Sequence, residues 1–425
     1  MNTKNKEMLL KKYSVDKNGA IAIFGAGHYG NVVHKLLKLS GIEPDIFFDN
    51  NPNLRETSVN GVSCVFPEDF LAHKDSTLVI IAVKNNLNDR LIELRNKGYL
   101  NCVIQKDIEN EFHEMITSLV NKNFVDYGVD MVSYMAITGN GSDKCLESGC
   151  FPMQVHYYQP VPDIKHLKKR DVWSKKSSLR GIKWKTDKFI NLLRQVAHFL
   201  PQNYWSRTQT KSVMDFCLDN TSFSYVCASL LYGMICMNKP KRIIEIGSGN
   251  SSKVILKTLS DNTRQNIDYT IIDPYCSFTE SDFKQYKVNI IKEPIEEASI
   301  ELFEKLERND ILFIDSSHTV RIGGDVNFLI LDVLPILSAG VSVHFHDIEL
   351  PYEYSEVYFT QEKKMFWTEA YLLQAFLSHN DSYEIELPAT YLCRERIDDV
   401  KKCYPDMSDP FDWQSSSFWI RKVTR

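Results

Sequence analysis

At 425 residues with 43% hydrophobic side chains, the chain can bury more than one core, and its length favours two or three domains over one. Fifty Lys and Arg against 55 Asp and Glu leave a formal charge of −5, which excludes the overall basic field of a nucleic-acid binder. No run of about eighteen apolar residues exists, so no membrane span is expected, and Met8-Leu9-Leu10 is too short for a secretory h-region. A cytoplasmic protein is expected.

Ala20 to Phe24 reads as a buried strand, followed by the turn Gly25-Ala26-Gly27-His28-Tyr29-Gly30 and a helix over Asn31–Leu39 that Gly41 stops. Asp45 to Asp49 is a second strand, Leu78 to Val83 a continuous apolar strand of the kind buried in parallel sheets, Asn88 to Lys97 a helix and Cys102 to Ile104 a short strand. The pattern weakens from Glu111 to Asn220. That stretch holds the aromatic piece His156-Tyr157-Tyr158 beside Pro160 and Pro162, a basic run from Lys165 to Arg170 and a helical segment from Lys188 to Leu200. The basic run is expected to be a solvated face. The aromatic piece is a candidate lid over a pocket, or ordinary packing of a connector.

A second alternation begins with a helix over Tyr225–Met237. Strands follow at Arg242–Ile246, Tyr269–Asp273, Val288–Ile291, Asp310–Asp315 and Val341–Phe345, with a helix over Val326–Leu337 between the last two. Beyond a helix over Thr368–His379, Tyr383–Leu387 and Ser417–Val423 are expected to close the sheet as a strand pair. The fold class is therefore α/β: two doubly wound, Rossmann-like domains joined by a partly helical connector. The expected domains are 1–112, a connector at 113–220, and 221–425. Ten cysteines without a CxxC pair are expected mostly as small buried apolar residues.

Both modules carry a glycine turn after their first strand and an acid at the end of their second. Gly25, Gly27 and Gly30, with Asp49 nineteen residues beyond, have the spacing of a dinucleotide fingerprint. Missing side chains there let backbone N–H groups and a helix N-terminus approach a pyrophosphate. The first module resembles small Rossmann modules of bacterial polysaccharide-modifying proteins, which implies a nucleotide-sugar in place of NAD(P). The oxidoreductase alternative wants a Tyr-x-x-x-Lys or Ser/Tyr/Lys set, which the first 110 residues lack.

The second turn, Glu245-Ile246-Gly247-Ser248-Gly249-Asn250-Ser251, opens on an acid and lacks the third glycine. Those departures suit S-adenosylmethionine, which has no phosphate and carries a sulfonium that Glu245 would favour, while Asp273 would accept the ribose hydroxyls. From Tyr225 to Val423 the chain resembles class I S-adenosylmethionine-dependent methyltransferases. Glu245, Gly247, Ser248, Gly249, Asp273 and Asp315 are the expected cofactor residues.

The fourth and fifth strands of this module end in Asp315-Ser316-Ser317-His318 and His344-Phe345-His346-Asp347, at the edge where doubly wound sheets hold ligands. Two carboxylates and an imidazole, Asp315, Asp347 and His346, form an expected Mg²⁺ or Mn²⁺ site. The arrangement resembles metal-dependent O-methyltransferases of macrolide-sugar and cephalosporin tailoring. That resemblance implies His318 as the base that takes a proton from a substrate hydroxyl, and it implies a saccharide or nucleotide-sugar acceptor. His346 departs from the pattern, since those relatives have a carboxylate there, which softens the expected metal preference. His344 is expected in the core, and Phe366-Trp367-Thr368-Glu369 as a wall of the substrate pocket. Oligomers are compatible with all of this.

Overall fold

The computed structural model describes residues 3–39, 41–70, 74–83, 87–105, 122–208, 214–262, 267–283, 286–360 and 364–424. The chain forms two compact units, Met1–Gln154 and Val155–Arg425.

In the first unit six strands run β1 (Ala20–Phe24), β2 (Ile46–Phe48), β3 (Thr57–Val59), β4 (Val62–Val65), β5 (Thr77–Ile81) and β6 (Asn101–Ile104). Their order is β3-β4-β2-β1-β5-β6, parallel except for the β3–β4 hairpin. Every residue of β2 and β5 is buried, which explains why both read as unbroken apolar runs. The hairpin departs from the sequence reading. Its Asn60-Gly61 turn has both residues at positive φ, the backbone that a tight two-residue β-turn demands. The helix His28–Leu39 begins inside the glycine turn, earlier than the expected Asn31.

The second unit holds a seven-stranded sheet of β7 (Arg242–Ile246), β8 (Asp268–Ile272), β9 (Val288–Ile291), β10 (Ile311–Ile314), β11 (Ser342–Phe345), β12 (Tyr383–Pro388) and β13 (Phe418–Lys422). The order is β12-β13-β11-β10-β7-β8-β9. Six strands run in one direction, and β13, between β11 and β12, is antiparallel to both, the late antiparallel addition that the closing strand pair brings. After β7 the chain winds outward through β8 and β9, then returns to build β10 and β11 on the other side. The switch point therefore lies between β7 and β10, where a doubly wound sheet opens a crevice at its carboxyl edge.

The helix Tyr225–Asn238 is buried almost all round and carries no charged side chain. The helix Thr186–Ala197, expected in the connector, crosses it so closely that a Cβ on Gly233 would stand 2.4 Å from the Val196 carbonyl oxygen. Phe189, Ile190, Leu193 and Val196 of that helix belong to the same core as the strands. Among the described residues the expected connector shows no separate core, and from Val155 onward it groups with the second unit; the expected boundary at 112/113 falls outside the described residues. The expected Val326–Leu337 helix is present and continuous, widening to a π-helical stretch over Phe328–Val333 between two short α-helical pieces. Among the described residues no helix is long and apolar enough to cross a membrane.

Candidate functional site

The carboxyl ends of β7, β8, β10 and β11 each deliver one part of the site. Gly247, after β7, has φ +79°, and a Cβ there would lie 2.6 Å from the Asp315 carbonyl oxygen. Only glycine lets the turn rest against the end of β10, so Gly247 brings the turn and Asp315 together. Gly249 differs. A Cβ built on it meets nothing within 4 Å, so the protein's own packing leaves that side open. The helix Asn250–Asp261 starts at this point, with the Gly249 N–H donating to Ser252 Oγ (3.1 Å). Such a turn, bare of side chains and ending on a helix N-terminus, fits the approach of a nucleoside-bearing ligand.

Asp273 stands at the end of β8. Its Oδ2 accepts from Ser248 Oγ at 2.5 Å and its Oδ1 from the Tyr275 amide at 2.8 Å. The expected ribose partner is thus tied to the turn by a hydroxyl that a ligand can displace. Glu245 is placed otherwise than expected. It is fully buried in β7, accepting from Ser252 Oγ (2.8 Å) and from the Tyr269 hydroxyl, so its carboxylate faces neighbouring side chains and not an open cleft. Burial raises its pKa to about 7 against the opposing hydrogen bonds of Ser251, Tyr269 and Ser252, with the Asp315 charge adding to the rise.

The loops after β10 and β11 converge. His318 Nε2 lies 3.3 Å from Asp315 Oδ1 and 3.5 Å from Asp347 Oδ2, while its Nδ1 lies 2.9 Å from Glu369 Oε2. His318 and Asp347 are non-glycine residues at positive φ, +58° and +55°. Each conformation costs about 1 kcal/mol, and the surroundings hold it in place. The Thr368 and Glu369 amides donate to the His318 carbonyl at 2.8 and 3.1 Å, and the Val320 amide donates to Thr368 Oγ1 at 2.7 Å. Ser416 Oγ donates to Asp347 Oδ1 at 2.7 Å.

Burial alone would discharge His318, but the Asp315 and Glu369 carboxylates outweigh it and raise the pKa to about 10. Asp347 is held well below the usual carboxylate range: burial opposes this, and the His346 charge and hydrogen bond overcome it.

The set that converges is Asp315, His318 and Asp347, whose donor atoms all lie within 4.8 Å of one another. His346, the expected third metal ligand, stands beside it. Its ring stacks on Phe223 (centroids 5.2 Å apart, 19° between planes), and Nδ1 is 3.3 Å from Asp347 Oδ1 and 3.9 Å from Asp315 Oδ1. Burial again opposes charge there, and the two aspartates raise its pKa well above the ordinary imidazole value. Strand alternation gives the physical reason: His346 shares the face of buried His344, ring centroids 5.9 Å apart, opposite Phe345, whereas the left-handed turn at Asp347 carries the next side chain to the cluster. His344 is buried as expected, 4.0 Å from the Phe313 ring and nearly parallel to it.

Beside the cluster is a groove of about 360 Å³ lined by Pro160, Val161, Thr319, Lys364, Met365, Phe366 and Trp367, within the size range of small-molecule pockets. Two segments read separately as candidate walls thus share one groove, although Tyr157 and Tyr158 themselves are about four-fifths exposed. The Trp367 ring lies 4.5 Å from that of His318, joining groove to cluster. Phe223 and Ser416 carry no signal in the sequence that marks them as site residues, and Glu369, expected in the pocket wall, instead faces His318. Glu369 sits 51 positions from His318, a separation that no local pattern signals.

In the first unit, Gly25 and Gly30 serve packing: added Cβ atoms would stand 2.6 Å from the Ala82 oxygen and 1.7 Å from the Gly25 oxygen. Gly27 meets nothing within 4 Å. Asp49, the expected ribose partner, spends Oδ2 on the Ala26 amide (2.7 Å) and Oδ1 on the Asn51 amide (2.8 Å). Gly25, Gly30 and Asp49 are thus taken up by the unit's own structure while Gly27 stays open, and the NAD(P) alternative is not favoured.

Residues 244–348 match the methyltransferase-domain family. An uncharacterized protein of Archaeoglobus fulgidus is 24% identical over 163 residues, covering 37% of this chain and 74% of its own. A solved structure of the plantazolicin methyltransferase BamL, in complex with a triazolic desmethylPZN analog and SAH, aligns with 45% of this chain and 80% of its own, at 15% identity and a TM-score of 0.28. That similarity is too low to bear on residue roles. The matched family segment contains the glycine turn, Asp273 and the loops after β10 and β11. The second unit thus carries a methyltransferase domain, and the chain is an enzyme of the S-adenosylmethionine-dependent methyltransferase class.

Proposed function

We propose that the second unit transfers the methyl group of S-adenosylmethionine to a hydroxyl of a saccharide or related small metabolite bound in the Pro160–Trp367 groove. The observation that carries this reading is the placement of that groove against His318, with the open Gly249 turn and Asp273 at neighbouring strand ends of the same sheet edge. The bound cofactor would supply an electrophilic methyl on a sulfonium. Gly247 and Gly249 provide a side-chain-free floor for it, Ser248 yields Asp273 to the ribose hydroxyls, and Asp315 borders the turn. As the acceptor oxygen forms its bond to the methyl carbon, the carbon–sulfur pair stays on sulfur. The acceptor's proton passes to the Asp315–His318–Asp347 cluster, of which Asp315, with its side chain 40% exposed, is the most open member. The aromatic wall of Phe366 and Trp367 suits the apolar face of a sugar ring. The first unit is assigned acceptor recognition, with a nucleotide-sugar as the ligand that its glycine turn resembles.

Calorimetry with S-adenosylmethionine and S-adenosylhomocysteine tests the cofactor. Binding to the wild type and its loss in Asp273→Ala are expected, and no binding to the purified protein refutes the proposal. Methyl transfer from labelled cofactor onto nucleotide-linked and free sugars then tests the acceptor. Transfer confined to non-hydroxyl acceptors refutes that part.

A further inference from the structure

In the first unit, a helix cap places two cysteines side by side. The helix Ser142–Glu147 ends on Gly149, which has φ +78°. The Gly149 amide donates to the Leu146 carbonyl at 2.9 Å, and the Cys150 amide donates to the Cys145 carbonyl, also at 2.9 Å. In this doubly bonded cap the side chain that follows the glycine packs against the one five positions before it. Both places hold cysteine. The 2.9 Å bond, with standard backbone bond lengths on either side, keeps the two Cα atoms within about 6.8 Å, a span that a disulfide bridges.

The two thiols differ in access. Cys150 is the one exposed cysteine of the ten, and Ser148 Oγ lies 3.3 Å from its sulfur. Cys145 is half-buried, with its Sγ 3.8 Å from Met135 Sδ. Burial, and then the charge and hydrogen bond of the facing Cys150, raise the Cys145 pKa. The cap is also docked without any covalent link: Lys35, on the helix His28–Leu39, donates from Nζ to the Ser148 carbonyl at 2.5 Å. The geometry that a bridge needs is therefore present before the bridge forms.

We propose that Cys145 and Cys150 are a reversible dithiol pair, oxidised to an intrachain disulfide by a small-molecule disulfide such as oxidised glutathione. Exposed Cys150 reacts first: its thiolate attacks one sulfur of the oxidant and expels the other as a thiolate, leaving a mixed disulfide on Cys150. Cys145 gives up its proton and attacks the Cys150 sulfur, which expels the second small thiolate. The protein's thiols are oxidised, the glutathione disulfide is reduced to thiols, and the protons released by the cysteines end on the leaving thiolates. Because the ring spans only Cys145 to Cys150, it restricts the unfolded chain little, and the exposed bond is open to reduction by the same thiol pool.

The purified full-length protein is equilibrated in glutathione buffers of rising oxidised fraction, blocked with N-ethylmaleimide and digested with trypsin. Cleavage after Lys144 and Lys165 puts both cysteines in one peptide, 145–165. In oxidising buffer this peptide should carry no maleimide and lack two hydrogens by mass, and excess reduced glutathione should return it to the doubly labelled form. Cys145→Ser should accumulate glutathione on Cys150, and Cys150→Ser should take up about tenfold less glutathione at Cys145, the less accessible thiol. Double labelling of the wild-type peptide in the most oxidising buffer overturns the proposal, as does glutathione that persists on wild-type Cys150. A bond from Cys150 to a second chain, seen as a dimer on a non-reducing gel, overturns it as well.

Discussion

Glu245→Gln isolates the energetic cost of a carboxylate buried beneath the glycine turn. In the folded protein Glu245 has a pKa near 7 against an ordinary value of 4.5. At about 1.36 kcal/mol per unit, the native state disfavours its ionised form by about 3 kcal/mol. The folded pKa is raised, so the native state holds the proton more tightly than the unfolded chain. The stability this supports is complete below pH 4.5, falls by about 1.4 kcal/mol per pH unit through the interval, and is lost above pH 7. Gln cannot ionise, so the difference between variant and wild type should move in the variant's favour by about 3 kcal/mol between pH 4.5 and 7.5. Because the comparison is with wild type at each pH, titration of His318 and His346 cancels. Tryptophan fluorescence during urea unfolding is the assay: all six tryptophans, Trp173, Trp184, Trp205, Trp367, Trp413 and Trp419, lie in the second unit. A difference that stays flat with pH would refute the reasoning, since it would mean that Glu245 is solvated or charged throughout.

Gly249→Ala should leave the urea midpoint unchanged while weakening S-adenosylhomocysteine binding, because its Cβ meets no protein atom, whereas Gly247→Ala should lower both, its Cβ meeting the Asp315 carbonyl. Asp273→Ala should cost more than tenfold in cofactor affinity by calorimetry, in line with the loss of charged hydrogen bonds worth about 1.5–3 kcal/mol each. Trp367→Ala should raise the KM for the acceptor and leave cofactor affinity unchanged, measured by steady-state kinetics and calorimetry. Leu193→Ala should destabilise the second unit by about 2–5 kcal/mol in the same urea assay, as expected for a buried core leucine; no change there would place that helix outside the core.

Unbroken apolar strands, glycine turns and terminal acids were legible because each is a local pattern, and the β-alternation carried the doubly wound sheets with it. The hairpin at Asn60-Gly61 is legible too, since Asn-Gly between short apolar runs is a turn signal. The helix Thr186–Ala197 could not be assigned to the second unit from its own residues, because its partner, the small Gly233, lies dozens of positions away.

The site divides in the same way. Chemistry at the carboxyl ends of β7, β8, β10 and β11 follows from the sequence, because strand order and the 3.3 Å rise of a strand bring their last residues to one edge. Which side chains meet there was decided by tertiary structure. The left-handed backbone at His318 and Asp347 turns both toward Asp315, alternation carries His346 inward onto Phe223, and Glu369 arrives from a distant helix to hold the ring. Glu245 was readable as an acid beside a nucleotide turn, but only its burial between Ser252 and Tyr269 determines that it faces the core. Sequence spacing sets which residues reach the sheet edge; backbone handedness and long-range packing set the direction of each side chain, and a polar cluster's chemistry depends on that direction.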